Sequence, residues 1–268
     1  MDLHALRTYY EHERGYSRLN ATARTCQDVV LSKLASSTMR DYVTVKGGIL
    51  MCAISSNDRR ATRDIDLDFL RYPLTNEAIR SFIETLSRID DGVKLRIKGP
   101  IEELSQLDYK GRRVTLILND GKSVFETKLD LGVHANVAME QNELWFDIGK
   151  DDEKVCLLAN SKEQVFTEKL KSLLRHSIRS TRFRDLYDMY FIGHHAGLDK
   201  EKLLRYITDA ILNDSDMWDK DMRGVISRVN RTLSNSQFLA RMKSSHRDWV
   251  GASVEEVVRW LPRFLNDL

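Results

Sequence analysis

Cysteine and proline are scarce in this chain, long apolar runs are missing, and neither sign of charge dominates. Its three cysteines, Cys26, Cys52 and Cys156, stand far apart in 268 residues. That spacing fits neither an even secreted disulfide framework nor a CxxC metal site, and it favours a reducing cytoplasm. The longest apolar stretch, Gly47 to Ile54, falls well short of the roughly 18 residues that a membrane-spanning helix requires. No basic-then-apolar signal peptide opens the chain. The expectation is a cytoplasmic protein with no membrane partner. Lys and Arg number 42 against 40 Asp and Glu, a net charge of +2, so any attraction to nucleic acid must be sought locally. What is present is ordinary globular material, 42% hydrophobic and 8% aromatic, which excludes intrinsic disorder and can build a core without staples.

The breakers are unevenly spread. Nine of the 13 glycines precede residue 150, and the three prolines are Pro73, Pro100 and Pro262. Because Gly and Pro mark turns and weaken helices, a turn-rich α/β part is expected first and a helical part after it. The change falls near Asp147 to Lys154, which divides the chain into 1–155 and 156–268. Helical spacing runs through Leu3, Leu6 and Tyr10, then through Ala23, Cys26, Val30 and Leu34. Tyr42 to Val45 is a short β-prone run ending at Lys46-Gly47-Gly48. Thr75 caps a helix that buries Ile79, Phe82, Ile83 and Leu86. Strands are predicted at Val93 to Lys98, Arg112 to Leu118 and Val124 to Val133. Asn119-Asp120-Gly121-Lys122 reads as a hairpin whose Asp-Gly pair supplies a type I′ turn. From Ser161 the period is helical, with Val165, Phe166, Leu170, Leu173 and Leu174 on one face. Ser253 and Glu256 form a capping box for the last helix.

Chemistry concentrates in three places. Asp64-Ile65-Asp66-Leu67-Asp68-Phe69 alternates with the period of a strand, so Asp64, Asp66 and Asp68 share one face. Three like charges in a row need an offset, which Arg59, Arg60 and Arg63, solvent, or a hard cation such as Mg²⁺ could provide. Upstream, Gly47-Gly48 follows a strand and opens an apolar segment, where backbone N–H groups at a helix start can approach a phosphate; a plain strand-to-helix turn uses the same residues. Downstream, Lys128-Leu129-Asp130-Leu131-Gly132-Val133 alternates again and puts Asp130 on the polar face of a strand that could neighbour the first. Carboxylates on adjacent strands beside a glycine turn match two-metal phosphoryl or nucleotidyl transfer. The third place is basic: Lys169 to Arg184 holds six cationic and no acidic residues, either a solvated face or a phosphate-binding one. The run then meets Asp185 and Asp188.

Taken in order, Val45-Lys46-Gly47-Gly48, Arg63-Asp64-Ile65-Asp66, Lys128-Leu129-Asp130, Thr167-Glu168-Lys169-Leu170 and Arg184-Asp185-Leu186-Tyr187-Asp188 resemble the motifs of the AbiEii/AbiGii nucleotidyltransferase toxins, over about residues 43 to 191. The resemblance implies an α+β, DNA polymerase β-like nucleotidyltransferase fold, a mixed sheet with helices, followed by a C-terminal helical domain. It also implies Mg²⁺, with two ions expected, a nucleoside triphosphate as substrate, and RNA as acceptor, with the tRNA 3′ end as the expected target and translation blocked as the result. A cognate antitoxin and a role in phage defence belong to the same expectation. Carried over by position, Asp64, Asp66 and Asp130 would hold metal and act in catalysis. Lys46, Gly47, Gly48, Arg63 and Lys169 would bind nucleotide, with Lys169 on the triphosphate, and Asp185 and Asp188 would match the late acidic motif. The chain departs from many members at Ile49, where they carry a Ser or Thr hydroxyl; the loss is one side-chain donor, about 1 kcal/mol.

Two other readings stay open: a nucleotidyltransferase acting on a protein or small molecule, and a non-catalytic nucleic-acid or partner-binding module whose carboxylates pair only with Arg59, Arg60 and Arg63. His176, His194 and His195 read as surface or helix-end residues, because adjacent helical positions diverge. Trp145, Trp218, Trp249 and Trp260 read as packing anchors, and Cys52 as a buried, inert thiol.

Overall fold

The computed structural model describes residues 1–106, 109–134, 139–149 and 153–268. Two compact units make up the chain, Met1–Asn160 and Ser161–Leu268. The first contains α1 (Leu3–His12), α2 (Arg18–Ala35), β1 (Val43–Val45), α3 (Gly47–Ser55), β2 (Ile65–Phe69), α4 (Asn76–Arg88), β3 (Lys94–Gln106), β4 (Tyr109–Asn119), β5 (Val124–Val133), β6 (Gln141–Ile148) and β7 (Glu153–Asn160). The division drawn from the sequence at 155/156 falls inside β7. That strand completes the sheet of the first unit by pairing with β6 and, in parallel, with β1. The composition change near Asp147 to Lys154 coincides with the connection between β6 and β7, of which 150–152 lie outside the described residues.

One mixed sheet of seven strands runs in the order β3-β4-β5-β2-β1-β7-β6. Its two parallel pairings are β2 with β5 and β1 with β7. Strand alternation explains which face is dry. Ile65, Leu67 and Phe69 of β2 are fully buried, as are Leu129 and Leu131 of β5 beside them. Val43 and Val45 of β1 add to the same face. Helix α2 packs against β5, β6 and β7 with Cys26, Val29, Val30 and Leu34 buried, and α4 packs on β3. Each fully buried Val, Leu, Ile or Phe contributes about 1.5–3 kcal/mol, so the alternation of β2 and β5 fixes which way the intervening aspartates must point.

The β4–β5 hairpin departs from expectation. A type I′ turn requires positive φ at both Asp120 and Gly121 and would pair Asn119 with Lys122. Only Gly121 takes positive φ, at 86°, and Asn119 pairs with Val124. The Asp120 carboxylate explains the longer loop: its Oδ1 accepts from the Lys122 and Ser123 backbone N–H groups at 2.9 and 2.6 Å, and Oδ2 accepts from Leu3 N–H at 2.8 Å. Three backbone donors satisfied by one side chain outweigh the local preference of Asp-Gly. The loop residues shift every pairing on β5 relative to the predicted turn.

The second unit is helical: α5 (Lys162–His176), α6 (Phe183–His195), α7 (Lys200–Ile207), α8 (Met222–Leu233), α9 (Ser236–Ser244) and α10 (Val254–Asn266). Ser161 caps α5 by accepting from Gln164 N–H at 3.2 Å, and the predicted apolar face, Val165, Phe166, Leu170, Leu173 and Leu174, is buried. At α10 only half of the capping box forms. Ser253 Oγ accepts from Glu256 N–H at 3.2 Å, while the Glu256 carboxylate accepts from the Tyr190 hydroxyl. Trp249 is buried and Trp260 stacks on Phe264 at 4.9 Å, as packing anchors should. Trp145 and Trp218 are not anchors: they are 64% and 85% exposed. Cys52 is half-buried rather than buried, and burial still pushes its thiol up, away from the reactive thiolate. His194 and His195 end α6 as exposed residues. No described helix is long and apolar enough to cross a membrane.

Candidate active site

The glycine pair follows β1 and opens α3. Gly47 adopts φ +63°, and a Cβ built on it would lie 2.2 Å from Asp66 Oδ2; one on Gly48 would lie 2.4 Å from Thr62 Oγ1. Both positions therefore exclude any side chain. The turn packs directly on the strand that carries the acids, and the Gly48 N–H faces the Asp66 carboxylate, favouring its ionised form. One job of Gly47 and Gly48 is thus to seat Asp66, which the phosphate argument alone does not anticipate.

Strand register brings the distant carboxylates together. Asp66 and Asp130 are partners on the parallel pair β2–β5. On the outer side of β5, Arg113 of β4 is the partner of Asp130. On the other side of β2, Lys46 N–H donates to the Asp66 carbonyl at 3.1 Å. A row of four residues, Lys46, Asp66, Asp130 and Arg113, therefore crosses the sheet in the charge order plus, minus, minus, plus. Asp64 stands one step before β2, half-buried.

The charges within this row are unequally satisfied. Asp130, 9% exposed, accepts two hydrogen bonds from Arg113, Nε to Oδ1 and Nη2 to Oδ2, both 2.7 Å. That forked pairing raises the Arg113 pKa further above its ordinary value. Asp68 is buried and paired with Lys46 Nζ at 2.6 Å, so the third acid of the DxDxD run is neither a solvated group nor part of the Asp66–Asp130 pair. Asp66 is the group in tension. Burial, then the charges of Asp130 and Asp64, push its carboxyl up to about 6, against the lowering effects of Lys46 and the Gly48 N–H. Arg63 is directed elsewhere, its Nε donating to Asn20 Oδ1 at 3.1 Å.

In the second unit, Lys169 of α5 lies between two acids of α6. Its Nζ is 2.6 Å from Asp185 Oδ1 and 2.8 Å from Asp188 Oδ2. Asp188 is fully buried and its Oδ1 accepts from Trp249 Nε1 at 3.0 Å. Lys46 and Lys169, both expected on nucleotide, are thus each paired with acids of their own unit, Lys46 with Asp68 and Lys169 with Asp185 and Asp188 of the late acidic motif. Others in the basic run are also engaged. Lys171 and Arg175 both reach Asp214, at 2.6 and 3.5 Å, and Arg182 donates to Ser172 Oγ at 3.3 Å.

Asp64, Asp66 and Asp130 supply carboxylate oxygens, the donors a hard divalent cation prefers. Burial above all, and then the charges of Asp130 and Asp64, disfavour the Asp66 carboxylate, and an added cation would offset both. The donor chemistry therefore fits Mg²⁺. Among the described residues no three acidic, His or Cys side chains are arranged to hold a metal ion, and both oxygens of Asp130 are held by Arg113.

Sequence reasoning missed two residues of these clusters. Arg113 was hidden by the loop length: with Asn119 opposite Lys122, Asp130 would face Gly111 instead. Trp249, the donor to Asp188, carries no sequence signal beyond being a tryptophan.

Comparisons with known proteins bear on the family and the fold. The profile of the family described as nucleotidyl transferase AbiEii toxin, Type IV TA system, matches residues 29–254. Two solved structures from Helicobacter pylori share the fold. JHP933 is 16% identical with a TM-score of 0.50, covering 93% of this chain and 91% of its own. The second, assigned as a nucleotidyltransferase, is 16% identical with a TM-score of 0.52, covering 94% and 95%. No curated protein matches the chain. With the family profile spanning most of the sequence and the acidic pair in register, this chain belongs to the AbiEii nucleotidyltransferase toxin family.

Proposed function

We propose that the protein transfers a nucleotide from a nucleoside triphosphate to RNA, with the 3′ acceptor end of tRNA as the target, and that the reaction depends on Mg²⁺. The observation that carries this reading is the side-by-side placement of Asp66 and Asp130 on parallel strands beside the Gly47-Gly48 turn. Divalent ions bound there would activate the attacking hydroxyl and neutralise charge on the triphosphate. Asp64, Asp66 and Asp130 are the residues to hold them. The first turn of α3, opening at Gly47, offers backbone N–H donors for phosphate. The family resemblance assigns the triphosphate to Lys169, which in the second unit is held by Asp185 and Asp188.

Incubation with each labelled nucleoside triphosphate, Mg²⁺ and total tRNA tests the reading. Label should move to the tRNA band with wild-type protein and not with Asp66→Ala. Label on protein or on a small product would establish the other transferase reading instead. Absence of transfer to any acceptor, together with undiminished growth on expression, would leave only a binding role.

A further inference from the structure

Arg113 has no place in the motifs of the family resemblance, yet it makes the best-formed ion pair in the acidic row. Its fork meets both oxygens of Asp130 at 2.7 Å, the side chains of the two residues being 25% and 13% exposed. The contact is built into the sheet, since Arg113 and Asp130 are cross-strand partners on β4 and β5. Both residues are therefore set in position by backbone pairing before any ligand arrives. Asp66, the next residue in the same row, has no comparable forked ion pair among the described residues. Its neighbours Asp130 and Asp64 repel it, and Lys46, which offsets part of that repulsion, has its ammonium on Asp68.

A carboxylate whose two oxygens both accept from one guanidinium keeps lone pairs for a metal, but the cation already neutralises its charge. A divalent ion entering the row meets Asp66 crowded by like charge, Asp64 already within the field of Arg113, and Asp130 held by its fork. We propose that Arg113 is a positioning residue that acts as a resident counter-ion: it keeps Asp130 in place in the ion-free protein and competes with the divalent ion for it. Asp130 then joins the ion fully only when the nucleotide's own negative charge draws Arg113 away. Arg113 suits this task better than lysine, because its planar fork fixes the orientation of the carboxylate as well as its charge. The inference rests on the nucleotidyl-transfer reading of the site and adds an order to its assembly.

Mn²⁺ binding, followed by the loss of the free-ion electron paramagnetic resonance signal without nucleotide, tests it. Arg113→Gln should bind Mn²⁺ roughly three- to tenfold more tightly than wild type, the range expected for freeing a carboxylate from a partly exposed ion pair. Arg113→Lys should fall between them. Adding Asp130→Asn to Arg113→Gln should abolish the gain. A loss of fold weakens binding, so tighter binding cannot come from damage to the structure. Adding a non-hydrolysable nucleoside triphosphate should narrow the difference between wild type and Arg113→Gln. Equal or weaker Mn²⁺ affinity in both Arg113 variants would overturn the proposal and leave the transferase reading standing. Failure of every form, wild type included, to bind Mn²⁺ with or without nucleotide would overturn both.

Discussion

Gly47 and Asp66 are packed so closely that no residue with a side chain fits at position 47: its Cβ would lie 2.2 Å from Asp66 Oδ2, on a backbone already at φ +63°. Gly47→Ala therefore meets two obstacles, left-handed strain of about 1 kcal/mol and a clash that only movement of Asp66 relieves. With the carboxylate misplaced by about an ångström, transfer activity should fall about 100-fold, while circular dichroism stays native. Activity within a few-fold of wild type would show that Asp66 is free to move without consequence.

Asp66 should trade stability for its charge. Its carboxyl is raised from 3.8 to about 6 in the fold, so the folded state holds the proton more tightly than the unfolded chain. The associated stability is fully present below pH 4 and is lost as pH rises through about 6. In chelator at pH 7.5, Asp66→Asn should melt higher than wild type by an amount equivalent to about 1–2 kcal/mol, discounted for partial exposure. The two proteins should melt alike near pH 4. A melting difference that does not change with pH would contradict this assignment, and so would Asp66→Asn melting lower at pH 7.5.

Lys169→Ala should destabilise the second unit as well as stop turnover. The substitution leaves Asp188, which is fully buried, with a charge and no lysine, at a cost of about 3 kcal/mol. Lys169→Met combined with Asp188→Asn should recover most of that loss, because an amide oxygen can still accept from Trp249 Nε1, but should stay inactive. Thermal unfolding of the single and double variants separates the two effects. Equal destabilisation in both would mean that the charge of Asp188 is not what Lys169 balances.

Away from the acidic row, Asp28 is a buried carboxylate that accepts from the Tyr10 hydroxyl at 2.5 Å and the Gly149 N–H at 3.0 Å, and lies 3.0 Å from Arg24 Nε. Burial raises its pKa and that of Tyr10. Tyr10→Phe removes one of these donors and should cost about 1–2 kcal/mol, read by urea unfolding, with Mn²⁺ binding unchanged. A neutral outcome would mean that Arg24 and Gly149 satisfy Asp28 by themselves.

What the sequence made legible follows from period. Alternation in β2 and β5 fixes the apolar face and hence the direction of Asp66 and Asp130, and the glycine pair marks the turn beside them. The polar partners were harder to see. Whether Asp130 faces Arg113 or Gly111 depends on a two-residue difference in loop length, decided by side-chain hydrogen bonds of Asp120 that no propensity reports. Strands β6 and β7 went unread because a change in composition at the same place suggested a boundary. For Lys46 and Lys169 the motif resemblance names a nucleotide role, but neither motif nor charge tells a cation waiting for phosphate from one holding an aspartate. Trp145 and Trp218 show the same limit for apolar residues: size predicts burial on average, and these two are exposed.

The parallel pairing of β2 with β5 also bears on when the proposed site can form during synthesis. Asp66 and Asp130 are separated in the chain by all of α4, β3 and β4, so a ribosome must release the whole meander before the two acids can meet. On the proposed role of these two acids, a chain ending before β5 should show no transfer activity, whatever else it has folded.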